Sequence, residues 1–464
     1  MDIFIDADDA AVPMTLIAAS DANDWVAEQT APVKTWIEGT GFAGKPGRLT
    51  LLPDDDGALG RVVFVVPENA SVWDWAKLPN GLAAGSYRVD HAMDPGDAKK
   101  LALAWGLEAY AFDRYKTVDE DRNAVVQLIW PGECDRDAVE NAVRATALAR
   151  DLINTPANDM GPGDLADAAT ALAAEFDAEI SVITGRDLLE QNFPAIHAVG
   201  RAAGHSESRA PRLIDLTWGN AKNPKVTLVG KGVCFDSGGL DIKGAAGMKL
   251  MKKDMGGSAQ VLGLARMVMA GGLPVRLRML VPAVENAISG NAMRPLDIVP
   301  TRKGLSIEIG NTDAEGRVIL ADALHEASEG QPGLIIDFAT LTGAARVALG
   351  TELPALFCND NDLAADILAA GEMIDDPLWR MPLWPGYDKM VNGKSADLTN
   401  SPEGGYGGSI TAALFLQRFV GDGTPWAHID LMAWNLSSRP GRPEGGEAMG
   451  MRAVYMMLKK RFAK

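Results

Sequence analysis

The sequence predicts an α/β protein with a C-terminal domain built on a mainly parallel central sheet flanked by helices, preceded by a smaller α/β domain. Three observations support this prediction. The chain has 464 residues, more than one hydrophobic core usually organises. After residue 156, short β-branched runs alternate with segments of helical periodicity. A long helical pattern that ends at Pro156 separates this alternation from what precedes it.

The N-terminal part is predicted to be a small mixed domain over residues 1–134. Residues 61–66 and 124–129 are β-branched runs that predict strands, and residues 97–107 predict a helix between them. Residues 135–155 then predict a connecting helix. The C-terminal domain accordingly takes residues 156–464.

The C-terminal domain alternates strands with helices. Strands are predicted at 178–184, 212–218, 226–230, 276–281, 334–340, 355–358 and 428–432, with helices at 186–191 and 257–270. A further helix is predicted after the glycine-rich loop Gly404–Gly408, with Ser409 as its N-cap. Because ligands bind at the carboxyl ends of strands in such sheets, the loops that follow the strands are the place to look for chemistry.

Composition and charge exclude several functional classes. No apolar run approaches the roughly 20 residues that a membrane span requires, and the N-terminus is acidic where a secretory signal would be basic and then apolar. We therefore expect a cytoplasmic protein without a membrane partner. The formal net charge of −18 repels a phosphate backbone, so a nucleic-acid partner is not expected.

The stretch 311–318, Asn-Thr-Asp-Ala-Glu-Gly-Arg-Val, concentrates opposite charges. If its backbone is extended, Asp313, Glu315 and Arg317 project from one face. Apolar residues at helical spacing from Val318 onward predict a helix directly after it, with free N–H groups at its start. An isolated motif of this kind would more often be a solvated turn held by an Asp–Arg pair, so upstream residues decide the interpretation.

Upstream, two further carboxylates and two lysines follow predicted strands or precede a predicted helix: Lys231, Asp236, Lys243 and Asp254. Asp236, Asp254, Asp313 and Glu315 are then four carboxylates that can converge on one site. Like charges so close raise one another's pKa until they protonate, and divalent cations relieve that repulsion. Two cations about 3.5–4 Å apart would polarise a carbonyl and lower the pKa of a water molecule enough for it to attack near neutral pH.

The lysines fit such a site in different ways. Beside a dication, Lys231 can lose its proton and act as a nitrogen ligand, although a lysine on a glycine turn is more often a surface residue. Lys243 and Arg317 would stay charged and stabilise a developing oxyanion. Arg317, close to a helix N-terminus, could also hold a small anion that accepts a proton.

Three segments resemble the signature of the leucine aminopeptidase (leucyl aminopeptidase) family. They are Val-Gly-Lys231-Gly-Val-Cys-Phe-Asp236-Ser-Gly-Gly, Met251-Lys-Lys-Asp254-Met-Gly-Gly and Asn-Thr-Asp313-Ala-Glu315-Gly-Arg317. The resemblance begins at 150–156, continues through 337–343 and 408–417, and reaches 426–430, which covers the C-terminal two-thirds of the chain.

The resemblance implies a role for each matching residue. Asp236 and Glu315 would bridge two divalent metal ions, Lys231 and Asp254 would complete the tighter metal site, and Asp313 the more exchangeable one. Lys243 and Arg317 would be catalytic, with a bicarbonate at Arg317 as general base. Met251, Thr340 and Gly343 would line the pocket for the substrate's first side chain, and the Leu341 carbonyl would receive a substrate nitrogen. An apolar lining favours leucine-like or methionine-like residues.

The resulting prediction is a two-metal aminopeptidase that releases N-terminal amino acids from peptides, with Zn or Mn favoured over Mg or Co. The family resemblance also implies a homohexamer. Two alternatives stay open at this point. Bridged carboxylate pairs also serve phosphate chemistry, so a di-metal phosphoesterase is one of them. The other is a DNA-binding or regulatory role, which some relatives of the family have.

Overall fold

The structure is a computed structural model that describes residues 3–42, 44–117, 125–204 and 206–463. The chain divides into two compact units, one of Met1–Ala147 with Ser437–Glu444 and one of Leu148–Leu436 with Gly445–Lys464. The inclusion of Ser437–Glu444 in the first unit was not predicted. The domain boundaries placed at residues 134 and 155 stay predictions.

The first unit is built on a sheet that has six strands within the described residues, in the order β1-β6-β5-β2-β4-β3. Only the β3–β4 pair is antiparallel. The strands are β1 (Phe4–Ile5), β2 (Val12–Ala18), β3 (Leu49–Pro53), β4 (Leu59–Val66), β5 (Gly85–Val89) and β6 (Val126–Ile129), and the helices are α1 (Ala22–Glu28), α2 (Ala31–Gly39), α3 (Val72–Trp75), α4 (Lys77–Asn80) and α5 (Pro95–Glu108). Predicted strand 124–129 starts at a residue outside the described ones.

One long helix, α6 (Arg136–Asn154), follows at the position of the predicted connecting helix. Its polar start and periodic apolar residues predicted it well, and Pro156 follows its end.

The second unit contains a sheet of nine strands within the described residues, in the order β16-β15-β18-β14-β9-β11-β8-β7, with β10 paired to β11. Its strands and those of two small sheets are β7 (Glu179–Thr184), β8 (Arg212–Trp218), β9 (Lys225–Gly230), β10 (Gly232–Asp236), β11 (Arg276–Asn286), β12 (Ile298–Pro300), β13 (Ser306–Glu308), β14 (Leu334–Ala339), β15 (Ala355–Cys358), β16 (Trp379–Arg380), β17 (Leu398–Thr399), β18 (Trp426–Asp430), β19 (Trp434–Asn435) and β20 (Gly445–Gly446).

Helices flank this sheet. They are α7 (Pro162–Glu175), α8 (Asp187–Glu190), α9 (Pro194–Gly200), α10 (Ala245–Met248), α11 (Gly256–Ala270), α12 (Glu315–Glu329), α13 (Gly343–Leu349), α14 (Asn361–Met373), α15 (Gly408–Gln417) and α16 (Met451–Phe462). Among them, α11 packs on β9 and β14, and α12 packs on β9 and β11. The predicted fold class is confirmed: the second unit has a mainly parallel sheet flanked by helices, and the first is a smaller α/β unit.

The central strands are parallel to one another, which sets the place of the site. Strands β9, β10, β11, β14 and β18 are joined by parallel pairing, so their carboxyl ends share one edge of the sheet. All six residues of β14 and all five of β18 are buried, as expected for strands covered on both faces. The residues that end or follow these strands therefore lie near one another.

One cap prediction is wrong. Helix α15 begins at Gly408, and its N-cap is Gly407 in the left-handed conformation (φ 67°) without a side-chain cap. Ser409, the predicted cap, is the second residue of the helix and is buried. A glycine takes this backbone conformation without a Cβ clash, so the loop turns into the helix two residues earlier than the serine indicated.

Among the described residues, no helix combines the length and the apolar character that crossing a membrane would need.

Candidate metal and active site

A tight turn after β10 places the first carboxylate. Asp236 is the last residue of β10, and its Oδ1 accepts hydrogen bonds from the Gly238 N–H and from Asn286 Nδ2, both at 2.8 Å. Gly238 has φ 88°, and a Cβ there would lie 2.4 Å from the Asp241 carbonyl oxygen and 2.9 Å from the Lys243 backbone nitrogen. Only glycine allows this reversal, which returns Lys243 to the carboxylate it follows.

The second carboxylate lies on a 3₁₀ turn. Residues Met251–Met255 form this turn at the start of α11, and Asp254 within it is buried. Asp254 Oδ1 accepts a hydrogen bond of 2.8 Å from the hydroxyl of Thr340, the residue after β14. This hydrogen bond fixes the turn to the end of a central strand and leaves Asp254 Oδ2 free to contact other groups of the site.

The stretch 311–318 is not extended, which corrects one sequence expectation. Asn311 forms a local turn in which its Oδ1 accepts from the Asp313 N–H at 2.8 Å, and α12 already begins at Glu315. Asp313 and Glu315 still lie close together, because a turn followed by a helical start brings them to one side. Arg317 lies within the first helical turn, and its Nη1 donates to the Asn400 carbonyl oxygen at 2.7 Å.

Three carboxylates form one cluster. Asp236, Asp313 and Glu315 each offer an oxygen, and these atoms lie within 4.8 Å of one another. Lys243 Nζ is 2.9 Å from Asp236 Oδ2 and is also paired with Asp313.

Lys231 ties Asp254 to the same group. Its Nζ lies 2.8 Å from Asp254 Oδ2 and 3.0 Å from Glu315 Oε1. A Cβ at Gly316 would lie 2.5 Å from Lys231 Cε, so the first turn of α12 can approach this lysine only with glycine at that position. The structure thus brings the four predicted carboxylates and both predicted lysines together.

The donor set fits divalent cations. Four buried carboxylate oxygens accept no well-directed hydrogen bond from any described residue: Asp254 Oδ2, Asp313 Oδ1, Glu315 Oε1 and Glu315 Oε2. Three of these oxygens lie at ion-pair distance from a lysine ammonium group, Asp254 Oδ2 and Glu315 Oε1 from Lys231 and Asp313 Oδ1 from Lys243. Lys231 Nζ also donates to the Thr340 carbonyl oxygen at 3.0 Å. Buried oxygens left in this way are ligands for hard cations, and a neutral lysine amine adds a nitrogen ligand.

The charges of the cluster are mutually dependent. Burial raises the pKa of Asp236 and of Glu315, and neighbouring carboxylates raise each further. Burial opposes the charged form of Lys231, but Asp254, Glu315 and Asp236 outweigh it and raise its pKa above the ordinary value. Lys243 follows the same pattern through Asp236 and Asp313. Without metal, the lysines supply the positive charge that keeps the acids together.

The predicted pocket residues lie around one cavity of about 220 Å³ beside this cluster. Met251, Thr340, Leu341 and Gly343 line it, together with Lys231, Asp236, Lys243, Asp254 and Asp313. Glu315 and Arg317 are not among its lining residues. Burial lowers the pKa of Arg317 to about 10, with Glu315 and Asp430 acting in the opposite direction. Its Nε has no hydrogen-bond partner among the described residues and is buried.

The chain matches two family models. Residues 147–455 match the catalytic domain of the cytosol aminopeptidase family, Peptidase M17, and residues 12–130 match the N-terminal domain of M17 aminopeptidases. This chain belongs to the cytosol aminopeptidase family. The resemblance to leucine aminopeptidases is thereby confirmed, and the protein is a metal-dependent aminopeptidase. The phosphoesterase and DNA-binding alternatives find no support.

Individual relatives agree with the family models. A probable cytosol aminopeptidase of Rhizobium rhizogenes is 43% identical over 390 residues, which span 79% of this chain and 77% of the relative. The crystal structure of cytosol aminopeptidase from Coxiella burnetii superposes with a TM-score of 0.94 at 49% identity, covering 100% of both chains. The bottromycin maturation enzyme BotP in complex with Mn superposes with a TM-score of 0.87 at 34% identity, covering 97% of this chain and 99% of BotP.

Several residues that orient the site of this family member were not predicted. Asn286 ends β11 and holds Asp236 through its amide, and it also donates to the Thr312 carbonyl oxygen at 3.0 Å. Asn400 accepts from the N–H groups of Gly310 and Asn311 at 2.8 and 3.2 Å, which fixes the turn before α12. Neither asparagine carries a local sequence signal, because each acts from a strand or loop distant in sequence.

Asp430 is a partial exception. It is the last residue of β18 and lies inside the strand predicted at 428–432. The carboxylate of Asp430 accepts hydrogen bonds from the backbone N–H groups of Leu341 and Thr342, at 3.0 and 3.2 Å, and from the Thr342 hydroxyl at 2.6 Å. It therefore fixes the loop after β14 that lines the cavity.

Two further cations line the cavity and were not predicted. Lys253, between Met251 and Asp254 in the 3₁₀ turn, is 4% exposed, and burial lowers the pKa of its ammonium from 10.5 to about 8. Arg346 reaches the cavity from α13. The cavity therefore carries more positive charge than the family signature indicated.

Proposed function

We propose that the protein removes N-terminal amino acids from peptides with two divalent metal ions held by the carboxylate cluster. The observation that supports this most strongly is the convergence of Asp236, Asp313 and Glu315, whose ligand oxygens lie within 4.8 Å of one another. In this proposal Asp236 and Glu315 would each contribute to holding both ions, Lys231 and Asp254 would complete the tighter site, and Asp313 would complete the more exchangeable one. Zn or Mn is favoured, and Mg or Co would also suit oxygen-rich ligation.

When bound, the two ions polarise the scissile carbonyl and lower the pKa of the attacking water. The residues of the chain supply the rest. Lys243, positioned by Asp236 and Asp313, donates to the oxygen that gains negative charge during the attack. Arg317 would hold a bicarbonate as general base, and its buried Nε has no hydrogen-bond partner among the described residues. Lys231 acts as a nitrogen ligand after losing its proton.

In this proposal, four uncharged residues that line the cavity receive the substrate. Met251, Thr340 and Gly343 contact the first side chain, and the Leu341 carbonyl oxygen accepts from a substrate nitrogen. The loop that carries Leu341 is fixed by Asp430, so this acceptor has a defined position. The apolar surface of Met251, which is 8% exposed, accommodates leucine-like side chains.

We further propose that the enzyme is a cytoplasmic homohexamer acting on peptides. The family membership supports the assembly, and the names of its relatives as cytosol aminopeptidases support the location. Size-exclusion chromatography with light scattering measures the assembly, and a monomeric mass for the active protein would contradict it.

The activity test uses leucine p-nitroanilide with purified protein. Chelation should abolish release of p-nitroaniline, and add-back of Zn or Mn should restore it, with elemental analysis giving two ions per chain. Lys243→Ala and Asp313→Ala should each abolish release while the variants stay folded by circular dichroism. Lys249→Ala, at an exposed lysine nearby, is the matched control. Full activity of both site variants would overturn the proposal.

A further inference from the structure

Lys253 and Arg346 differ from Lys231 and Lys243 in forming no ion pair with any residue that the structure describes. Lys231 and Lys243 each contact two carboxylates. Across the described part of the chain, the ammonium of Lys253 makes no hydrogen bond or ion pair, although only 4% of the residue is exposed. Arg346 has no ion pair there either, and its Nη1 has the Met432 sulfur at 3.5 Å as its hydrogen-bond acceptor.

A buried cation without an ion pair is costly, which applies to Lys253, while Arg346 is partly exposed; two cations near one another also repel. Burial lowers the pKa of Lys253, and Arg346 lowers it further, while Asp254 and Asp430 act in the opposite direction without forming an ion pair with it. The side chains of Lys253 and Arg346 nevertheless line the same cavity, so an anion entering it would relieve both costs at once. The cavity is thus complementary to a ligand that brings a carboxylate of its own.

The position of the two cations indicates which part of a substrate supplies that carboxylate. Lys253 is two residues from Met251 in the same turn. Arg346 lies on α13, and a Cβ added at Gly343, the first residue of this helix, would be 3.4 Å from Arg346 Nη2. Met251 and Gly343 form the wall proposed above for the first side chain, so the cations lie at that wall.

We propose that Lys253 and Arg346 bind the carboxylate of an acidic first side chain, which makes N-terminal glutamate and aspartate substrates of this enzyme. This inference rests on the proposed function. The methylene groups of glutamate pack against Met251 as those of leucine would, and its carboxylate accepts charge-assisted hydrogen bonds from both cations. The residues therefore determine specificity and leave the hydrolysis itself to the metal cluster.

The test compares amides of glutamate and glutamine, which have the same shape and differ in charge. With the metal-loaded wild type, kcat/KM for glutamate p-nitroanilide should exceed that for the glutamine amide by about tenfold or more, the effect of a charged hydrogen-bonding pair. Lys253→Met and Arg346→Met should each reduce this ratio by about tenfold. Lys253→Arg and Arg346→Lys should retain most of it, and Lys249→Met, at an exposed lysine, should leave it unchanged.

A second arm excludes another source of the carboxylate, the C-terminus of a dipeptide. Leu-Leu and its C-terminal amide differ only in that group. The proposal would be overturned if Lys253→Met and Arg346→Met lower the ratio of kcat/KM for Leu-Leu to that for its amide but leave the glutamate-to-glutamine ratio unchanged. An unchanged glutamate-to-glutamine ratio in Arg346→Met alone also overturns it, so the test does not depend on the folding of Lys253→Met. If the wild type hydrolyses none of the amides, the proposed function fails instead.

Discussion

Lys231 and Lys253 line the same cavity and are almost equally buried, with exposed fractions of 3% and 4%, yet their pKa values shift in opposite directions. Burial acts against the ammonium form in both. Asp254, Glu315 and Asp236 outweigh this effect at Lys231, whose pKa is raised, while Lys253 has no such pairing and its pKa is lowered. At equal burial, the neighbouring carboxylates therefore determine the direction in which the pKa of a lysine in this site shifts.

The same difference in ion pairing separates the two regions in which these lysines lie, the carboxylate cluster around Lys231 and the cavity wall that carries Lys253 and Arg346. The carboxylate cluster is neutralised internally by Lys231 and Lys243, so metal ions must displace protons to enter it. Lys253 and Arg346 form no ion pair with any described residue, and we propose that a substrate carboxylate supplies one. In our proposals, the first region exchanges its internal partners for metal ions, and the second gains a partner from the substrate.

Removing a bridging carboxylate should have the largest effect on this comparison. Asp236→Asn takes one negative charge from the cluster, so we expect metal content to fall and kcat/KM to drop by at least about 10³-fold. Elemental analysis and leucine p-nitroanilide hydrolysis measure the two effects. Asp362→Asn, at an exposed position on α14, is the control. Retention of two ions and normal activity by Asp236→Asn would show that the cluster is not the metal site.

Metal affinity should depend steeply on pH. The pKa values of Lys231, Glu315 and Asp236 are all raised in the metal-free protein, so protons compete with metal at each of these ligands. The sign follows directly: affinity rises with pH, by about tenfold per pH unit for each proton released. Competition titration with a chelator between about pH 6 and about pH 8 measures the slope. An affinity independent of pH would mean that the ligands are already deprotonated.

An intermediate effect is expected at Asn286. Its amide holds Asp236 in place at 2.8 Å without reaching the cavity. Groups that orient a metal ligand typically contribute about 10–100-fold to metal affinity or activity, so Asn286→Ala should lose that much. Restoration of kcat/KM by excess metal would place the defect in binding. A loss as large as that of Asp236→Asn would instead indicate that the whole turn after β10 has collapsed.

The fold was predictable because the signals that determine it are local. Strands β8 and β15 were predicted with the bounds that the structure has, 212–218 and 355–358, since each is a short segment rich in apolar and aromatic residues. The start of α12 was missed because the side chain of Asn311 forms a turn that no periodicity reveals.

The candidate site was predictable only in part, for the same reason. Asp236, Asp254, Asp313 and Glu315 lie in short motifs, and the structure brings them together, while their roles stay predictions. Lys253 stands inside one of these motifs, but sequence alone does not show that it lacks a carboxylate partner. That property depends on every element packed around the cavity, including α13.

The smallest effect concerns stability and tests the comparison of the two lysines directly. In chelated protein, Lys253→Met removes an unpartnered buried charge and should stabilise the fold by on the order of 1 kcal/mol. With a pKa of about 8 in the folded chain and 10.5 when unfolded, wild-type Lys253 destabilises fully below about pH 8. Between these values the unfolded state binds more protons than the folded state, so wild-type stability rises with pH and the advantage of the variant disappears by about pH 10.5.

Urea unfolding across this pH range measures the free energy of unfolding of the wild type and of both lysine variants. Lys231→Met is expected to destabilise the fold instead, because it leaves Asp254 and Glu315 without their cation. Equal and pH-independent effects of the two substitutions would mean that partners do not distinguish these lysines.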